Sequence, residues 1–448
     1  MVLQRDAARL RRRSLLAGLA SLPVAAALPA RAASSAPTPE AVLHDWYRLV
    51  LELVRHTPIY SPPVAARAFG YLGIICHESL VGGAAPLVSL AGQVGGLGAL
   101  PAAPAASDAA SVLNAALAAG VARLFSHTGP TGQRAMQAMA RRMDEKLSAA
   151  TAPDVAAASI AHGQAVVAHV LAWSEGDGGA VIENMGFPHD TVDPASRSPA
   201  QWVPTSRIAQ QQAPLLPHWG DVRPFTLPSA ASCGLPPPPA YSEEPGSAFY
   251  LEAKEVHDAK AALTDEQKLI ARFWSDDPML SPTPPGHWIA IAMQIFERDQ
   301  TPADRRAEVL ARLGMAVSDA FICCWKSKFE YDLVRPVTYI RRVMDPKWEP
   351  LLITPPFPEY PSGHSTQSGA AAGVLTDLFG EGFAFSDATH EDDGLPVRNF
   401  PSFAAAAEEA AISRLYGGIH FRAAIEQGLA QGACVAAAVN RLTTRKDA

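Results

Sequence analysis

Three short stretches in the last third of the chain carry side chains that could do chemistry together. They are Lys328-Phe-Glu-Tyr-Asp-Leu-Val-Arg335-Pro336, Pro361-Ser362-Gly363-His364, and Ser413-Arg414-Leu-Tyr-Gly-Gly-Ile-His420. They supply three cations, a small turn able to offer backbone N–H groups, and two histidines. This is the inventory for gripping a tetrahedral oxyanion and reacting on it, because charge-assisted hydrogen bonds hold the oxygens while imidazoles move protons or engage the central atom. The set asks for phosphate or an anion of phosphate's shape.

The elements that must position these groups follow from spacing. Lys328 and Arg335 lie on one side of a helix if the helix is continuous, and Pro336 marks a kink or an end where Arg335 can turn into a cavity. An isolated Lys/Arg pair reads as a solvated charged face. Trp325 and Phe329 beside the lysine, and the two blocks that follow, argue for a site instead. Ser362-Gly363-His364 precedes an Ala/Gly-rich helix whose first turn presents free N–H groups and a positive dipole end to an anion. His364 would stand beside that anion as general acid or base, its imidazolium disfavoured by the cations and favoured by the anion. Ser413, Arg414 and His420 can face one pocket if Gly417-Gly418 permits a small adjustment.

The order and spacing resemble the tripartite motif shared by vanadium-dependent haloperoxidases and type 2 phosphatidic acid phosphatases: Lys, six residues, Arg-Pro; Pro-Ser-Gly-His; Ser-Arg, five residues, His, three residues, Asp. One element departs from it. Ala424 occupies the Asp position, so the carboxylate expected one helical turn after His420 is missing, and Glu426 is the nearby alternative. Trp202-Val-Pro-Thr, Pro217-His-Trp219-Gly220, Phe273-Trp274-Ser275-Asp276-Asp277 and Thr283-Pro-Pro-Gly-His287-Trp288 are similar to segments of the soluble, bacterial haloperoxidase-like branch.

The resemblance implies vanadate as cofactor, held by Lys328, Arg335, Arg414, Ser362 and the Gly363 N–H, with His420 as the vanadium ligand. It implies hydrogen peroxide and a halide as substrates, His364 as acid/base, and Lys328 polarising the bound oxidant. Trp325 and Phe357 match positions that line a halide pocket, and Asp277 matches an acid that salt-bridges the third arginine. The alternative it implies is an exported acid phosphatase acting on a phosphate monoester. There phosphate fills the same site, His420 forms a phosphohistidine intermediate and His364 protonates the leaving alcohol. A non-catalytic exported oxyanion binder is a third reading. The missing carboxylate at Ala424 tilts toward haloperoxidase, because a nucleophilic histidine needs a carboxylate to fix its tautomer, whereas a metal ligand can be oriented by a backbone carbonyl.

Composition bounds the rest. The 448 residues, 48% hydrophobic, suffice for a large core, and the net charge of −7 argues against nucleic acid as the main partner. Arg11-Arg12-Arg13-Ser-Leu-Leu, an apolar run from Leu15 to Leu28 and Ala30-Arg31-Ala32 read as a twin-arginine signal over residues 1–32, implying a periplasmic or secreted protein. Beyond it, no apolar run of about 18 residues is apparent, so no membrane span is expected in the mature chain. The five cysteines read as buried small hydrophobes rather than a disulfide framework. His77-Glu78 and His162/His169 lack a third ligand at a sensible spacing, so no metal-cation site is expected.

Apolar residues at three- and four-residue spacing predict helices near 38–56, 62–82, 107–126, 130–150, 153–175, 247–261, 264–275, 285–298, 302–330, 362–379 and 401–443, the last broken around Gly417-Gly418. The expected architecture is all-α: two packed helical bundles, 33–175 and 246–448, joined by a long proline-rich connecting segment, 176–245, with Trp202 and Trp219 arguing that it is packed. The sequence gives no oligomeric state, although helical bundles with exposed apolar faces often form homodimers.

Overall fold

Proline opens five of the helices, where its fixed φ suits the first turn and its missing N–H costs nothing. These are α1 (Pro39–Arg55), α2 (Pro62–Leu80), α4 (Pro130–Ser148), α5 (Pro153–Glu175) and the short α10 (Pro336–Val343). The others are α3 (Ala109–Leu124), α6 (Ala248–Ala261), α7 (Asp265–Phe273), α8 (Thr283–Arg298), α9 (Ala303–Tyr331), α11 (Gly363–Phe379), α12 (Phe403–Tyr416) and α13 (Arg422–Val439). The computed structural model describes residues 36–84, 86–180, 193–206 and 213–446; the expected leader over 1–32 lies outside them.

Among the described residues the fold is mostly helical, with one two-stranded antiparallel sheet, β1 (Phe385–Asp387) and β2 (Arg398–Phe400), in the register Phe385↔Phe400. Strands of three residues are too short to show an alternating pattern, so the sequence predicts neither them nor α10. The 29-residue helix α9 is the axis. It packs along α2, and the two backbones meet at glycines: a Cβ on Gly73 would sit 2.4 Å from the Leu310 carbonyl oxygen, and one on Gly314 2.5 Å from that of Phe69. On its other side α9 meets α11, which packs in turn on α13. One apolar core runs from Trp46 and Tyr47 in α1 through Phe69 and Ile75 to Trp288, Leu313 and Phe403; a second, around Phe249, Tyr339, Ile340 and Phe421, lies behind the candidate site.

Helix α5 corrects one expectation. By length and composition it is apolar enough to cross a membrane, but Val166, Val167 and Val170 are buried and it packs against α3, with 39% of its apolar window covered. The cysteine reading is corrected too: Cys233 and Cys434 form a disulfide between the connecting segment and α13, while Cys76, Cys323 and Cys324 are free and buried. A separation of 201 residues left no local signal for that pair. The connecting segment buries Trp202 and Trp219 and straps the turn after α9: Trp202 N–H donates to Asp332 O at 2.8 Å, and Val334 N–H to Ala200 O at 2.9 Å.

The α2/α9 contact leaves no room for a methyl group. Gly73→Ala should lower stability by about 1–3 kcal/mol, the usual cost of overpacking, read as a lower denaturant midpoint; an unchanged midpoint would mean that α2 can shift away from α9 freely.

Candidate active site

Lys328 and Arg335 do not share one helix. Helix α9 ends at Tyr331, Asp332 turns in the left-handed region (φ +45), and Arg335 is the N-cap of α10. Arg197 and Gln201 both bond the Asp332 carboxylate, so the connecting segment fixes this turn. The reversal points the lysine and the arginine into one buried space lined by the loop 357–361.

That loop is a cage of carbonyls. Lys328 Nζ donates to Pro358 O at 2.9 Å, to Glu359 O at 3.0 Å, and to Pro361 O. Arg335 donates from Nε to Phe357 O and from Nη1 to Ile419 O, both at 2.9 Å. Arg414, in the last turn of α12, donates from Nη1 to Trp274 O at 2.9 Å. All three are buried. Burial pushes Lys328 down to about 7 and holds Arg335 near 9 and Arg414 near 10, so the arginines keep their charge at neutral pH and the lysine is poised.

Ser362 caps α11, its Oγ accepting from Ser365 N–H, and its own N–H donates to Ala424 O at 3.0 Å. This seats the start of α11, with Gly363 and His364, against α13. Burial, followed by the Arg414 charge, pushes His364 well below the usual histidine range. Trp325 and Phe357 pack with ring centres 4.9 Å apart and planes tilted by 50°, with Trp325 Nε1 donating to Leu215 O. Lys328 Nζ and the Arg335 guanidinium stand 5.1 and 5.0 Å from the Phe357 ring centre.

His420 has a carboxylate after all. Its Nδ1 lies 2.8 Å from Glu359 Oε1, which also accepts the Phe421 N–H at 2.8 Å. Arg335 Nη1, which can only donate, lies 3.2 Å from His420 Nε2. The two partners select one tautomer: hydrogen on Nδ1, lone pair on Nε2 facing the cations. Burial and the surrounding cations push His420 well below the usual range, which keeps it neutral. Glu426, the alternative named from the sequence, is on the surface beside Arg422. Local spacing does not reveal Glu359, which is 61 residues from its histidine; its signal in the sequence is a lone acid between Pro358 and Tyr360 in a block otherwise apolar.

Asp277 departs from expectation as well. No ion pair joins it to Arg414, whose Nη1 is taken by the Trp274 carbonyl; the two charges act on each other at longer range. Its neighbour Asp276 turns away to bond His287 and His390.

The arrangement suits a tetrahedral oxyanion. Arg335 Nη2, Arg414 Nε and His364 Nε2 are buried with no hydrogen-bond partner among the described residues. Buried polar atoms are rarely left unpaired, and these belong to the three blocks that converge here. The three cations face one buried carboxylate inside the site, Glu359, so an anion is also what the charge requires.

A solved structure described as the first bacterial vanadium-dependent iodoperoxidase is 38% identical, with a TM-score of 0.84 over 92% of this chain and 98% of that one. This chain belongs to the vanadium-dependent haloperoxidase family. The family described as VCPO second helical-bundle domain matches residues 308–347 and 342–446. Vanadium chloroperoxidase of Curvularia inaequalis is 30% identical over 123 residues, 22% of this chain and 20% of that protein, so the match spans about a fifth of the curated relative's length. A holo-type bacterial vanadium-dependent chloroperoxidase, 17% identical with a TM-score of 0.65 over 87% of this chain and 94% of that one, shares the fold.

If Glu359 orients His420, Glu359→Ala should weaken vanadate binding about 10–100-fold, the usual cost of losing a partner of a metal ligand, in a calorimetric titration. Glu359→Gln, which keeps an accepting oxygen, should lose less. Equal affinities in all three proteins would show that the backbone alone orients the histidine.

Proposed function

We propose that this chain is a vanadate-dependent haloperoxidase, a peroxidase-class oxidoreductase that uses hydrogen peroxide to oxidise a halide, with iodide the first to test. The observation that carries the reading is the buried cage of Lys328, Arg335 and Arg414 around a neutral His420 whose Nε2 lone pair faces it. The relative at 38% identity, named as an iodoperoxidase, supports iodide.

Lys328, Arg335, Arg414, Ser362 and the Gly363 N–H hold the oxygens of vanadate, and His420 Nε2 is the ligand to vanadium. When bound, vanadate supplies a Lewis-acid centre that activates hydrogen peroxide for attack by the halide. The protein's part is electrostatic and protonic. The arginines keep positive charge on the oxygens at every working pH, and Lys328 adds its charge below its lowered pKa. His364, neutral and with Nε2 unpaired, is placed to take a proton from the incoming peroxide and return it to the departing oxygen. Trp325 and Phe357 form an apolar wall beside Lys328 that can desolvate a large, weakly hydrated halide.

Glu359 removes one argument for this reading, since His420 has the carboxylate that a nucleophile would need. The experiment must therefore run both reactions. Purified protein loaded with orthovanadate should oxidise iodide with hydrogen peroxide, and the vanadate-free form should hydrolyse an aryl phosphate only weakly; brisk hydrolysis without halide oxidation would make it a phosphatase. His420→Ala should abolish activity in either case.

Lys328 gives this reading a pH signature. Its folded pKa is near 7, so its charge is present below that value and lost above it. Vanadate affinity of the empty site should fall as pH rises through about 7, where Glu359, pushed up to about 7 by burial, also ionises; Lys328→Met should bind more weakly at pH 6 and show a smaller step. A step of undiminished size in the variant would assign the titration to Glu359 or elsewhere.

Export through a twin-arginine signal belongs to the same proposal. It is supported by Arg11-Arg12-Arg13 before the apolar run and by the Cys233–Cys434 disulfide, which persists best in an oxidising compartment.

A further inference from the structure

Outside the oxyanion site, the most concentrated chemistry lies between the α7/α8 loop and the β1/β2 hairpin. Asp276, His287 and His390 are all buried, and one ligand atom from each lies within 4.8 Å of the others. His287 Nδ1 is 3.0 Å from both Asp276 oxygens, and His390 Nε2 is 3.1 Å from Asp276 Oδ1. The far nitrogen of each ring is held by a further carboxylate. Asp387 Oδ2 is 2.8 Å from His287 Nε2, and Asp393 Oδ2 is 3.1 Å from His390 Nδ1. These outer carboxylates are themselves anchored, Asp387 by the Thr389 N–H at 3.0 Å and Asp393 by Arg55.

Two imidazoles aimed at one carboxylate, each backed by its own carboxylate, is the pattern that orients histidines toward a metal ion. We propose that Asp276 Oδ, His287 Nδ1 and His390 Nε2 bind a divalent transition-metal cation of the zinc type, structural in role and separate from the vanadate site. Nitrogen and carboxylate donors suit such an ion, with the second Asp276 oxygen or a water completing four ligands. A tetrahedral site with bonds of about 2.0–2.1 Å places ligand atoms about 3.3 Å apart. The two Asp276–histidine pairs, at 3.0 and 3.1 Å, need to part by only a few tenths of an ångström, and the two histidine nitrogens lie within 4.8 Å of each other. Without a metal the same contacts are ring N–H to carboxylate hydrogen bonds, so metal binding would release the His287 Nδ1 and His390 Nε2 protons to solvent.

The location gives the ion a task. Asp276 stands in the left-handed region (φ +48), in a loop that must be held to keep that conformation. The two residues before it support the oxyanion site: Trp274 O accepts from Arg414 Nη1, and the Ser275 backbone is hydrogen-bonded to His364. A metal joining Asp276 in this loop to His287 on α8 and His390 in the hairpin would pin all three segments behind the catalytic histidine.

The test uses the full-length protein purified without chelator and without added vanadate. Metal analysis should find about one zinc or similar divalent ion per chain; stripping with a strong chelator should lower the melting temperature, and Zn2+ alone at micromolar concentration should restore it. His390→Ala should bind none and show no zinc-dependent shift. Should that variant not fold, Asp393→Asn, which removes the carboxylate behind His390 together with its Arg55 ion pair, should bind zinc at least tenfold more weakly. Protein that carries no divalent transition metal and whose melting is unmoved by zinc, or a zinc shift of equal size in wild type and both variants, overturns the proposal and leaves the cluster as a hydrogen-bonded network.

Discussion

Three positive charges buried within reach of one another are the constraint on which the rest of this structure depends. Lys328, Arg335 and Arg414 repel each other, and each loses its hydration when enclosed, a cost of several kcal/mol per ion even after relaxation. The chain meets that cost with backbone. Carbonyls of residues 357, 358, 359, 361, 419 and 274 point at the three side chains, and a loop can offer so many free carbonyls only because it is neither helix nor strand. Much of the architecture exists to hold such loops still: α9 ends where it does, the connecting segment straps Asp332, and α13 receives the Ser362 N–H through the carbonyl of Ala424.

The same loop does two tasks at once. Its carbonyls hold Lys328, and the side chain of Glu359 fixes the tautomer of His420. A carboxylate at position 424, in the first turn of α13, would orient the histidine from the helix that follows it. Glu359 instead ties the histidine to the element that cages the lysine, so a shift of the loop would move both together. The Ala424 backbone is not idle in this arrangement, since its carbonyl seats Ser362, and its small side chain packs in the apolar cluster with Tyr360 and Phe421.

What could be read from the sequence divides along physical lines. Helices were legible because an apolar stripe repeats within every turn, and prolines at first positions, such as Pro39, Pro62 and Pro153, mark starts independently. The family was legible because cations, glycine and histidines keep fixed local spacings. The contacts that complete the site were not, because each joins residues far apart in the chain: Glu359 to His420, Trp274 to Arg414, Cys233 to Cys434. The family resemblance implied an Asp277–Arg414 pair, yet the Trp274 carbonyl occupies the guanidinium Nη1 and the adjacent Asp276 bonds His287.

A cage built mainly from backbone acceptors and arginines binds shape and charge, and it does not by itself choose between vanadium and phosphorus. The choice lies with the groups that meet the second substrate. A phosphatase must admit water and let an alcohol leave, which favours an open, polar mouth. Here the wall beside Lys328 is Trp325 against Phe357, with Phe321 edge-on to Trp325. Aromatic side chains exclude water and their positive ring edges tolerate a polarisable anion poorly hydrated in bulk, while Lys328 Nζ, 5.1 Å from the Phe357 ring centre, offsets the charge of that anion when protonated. The oxyanion cage would suit either chemistry, and the apolar wall beside it inclines this chain toward halide.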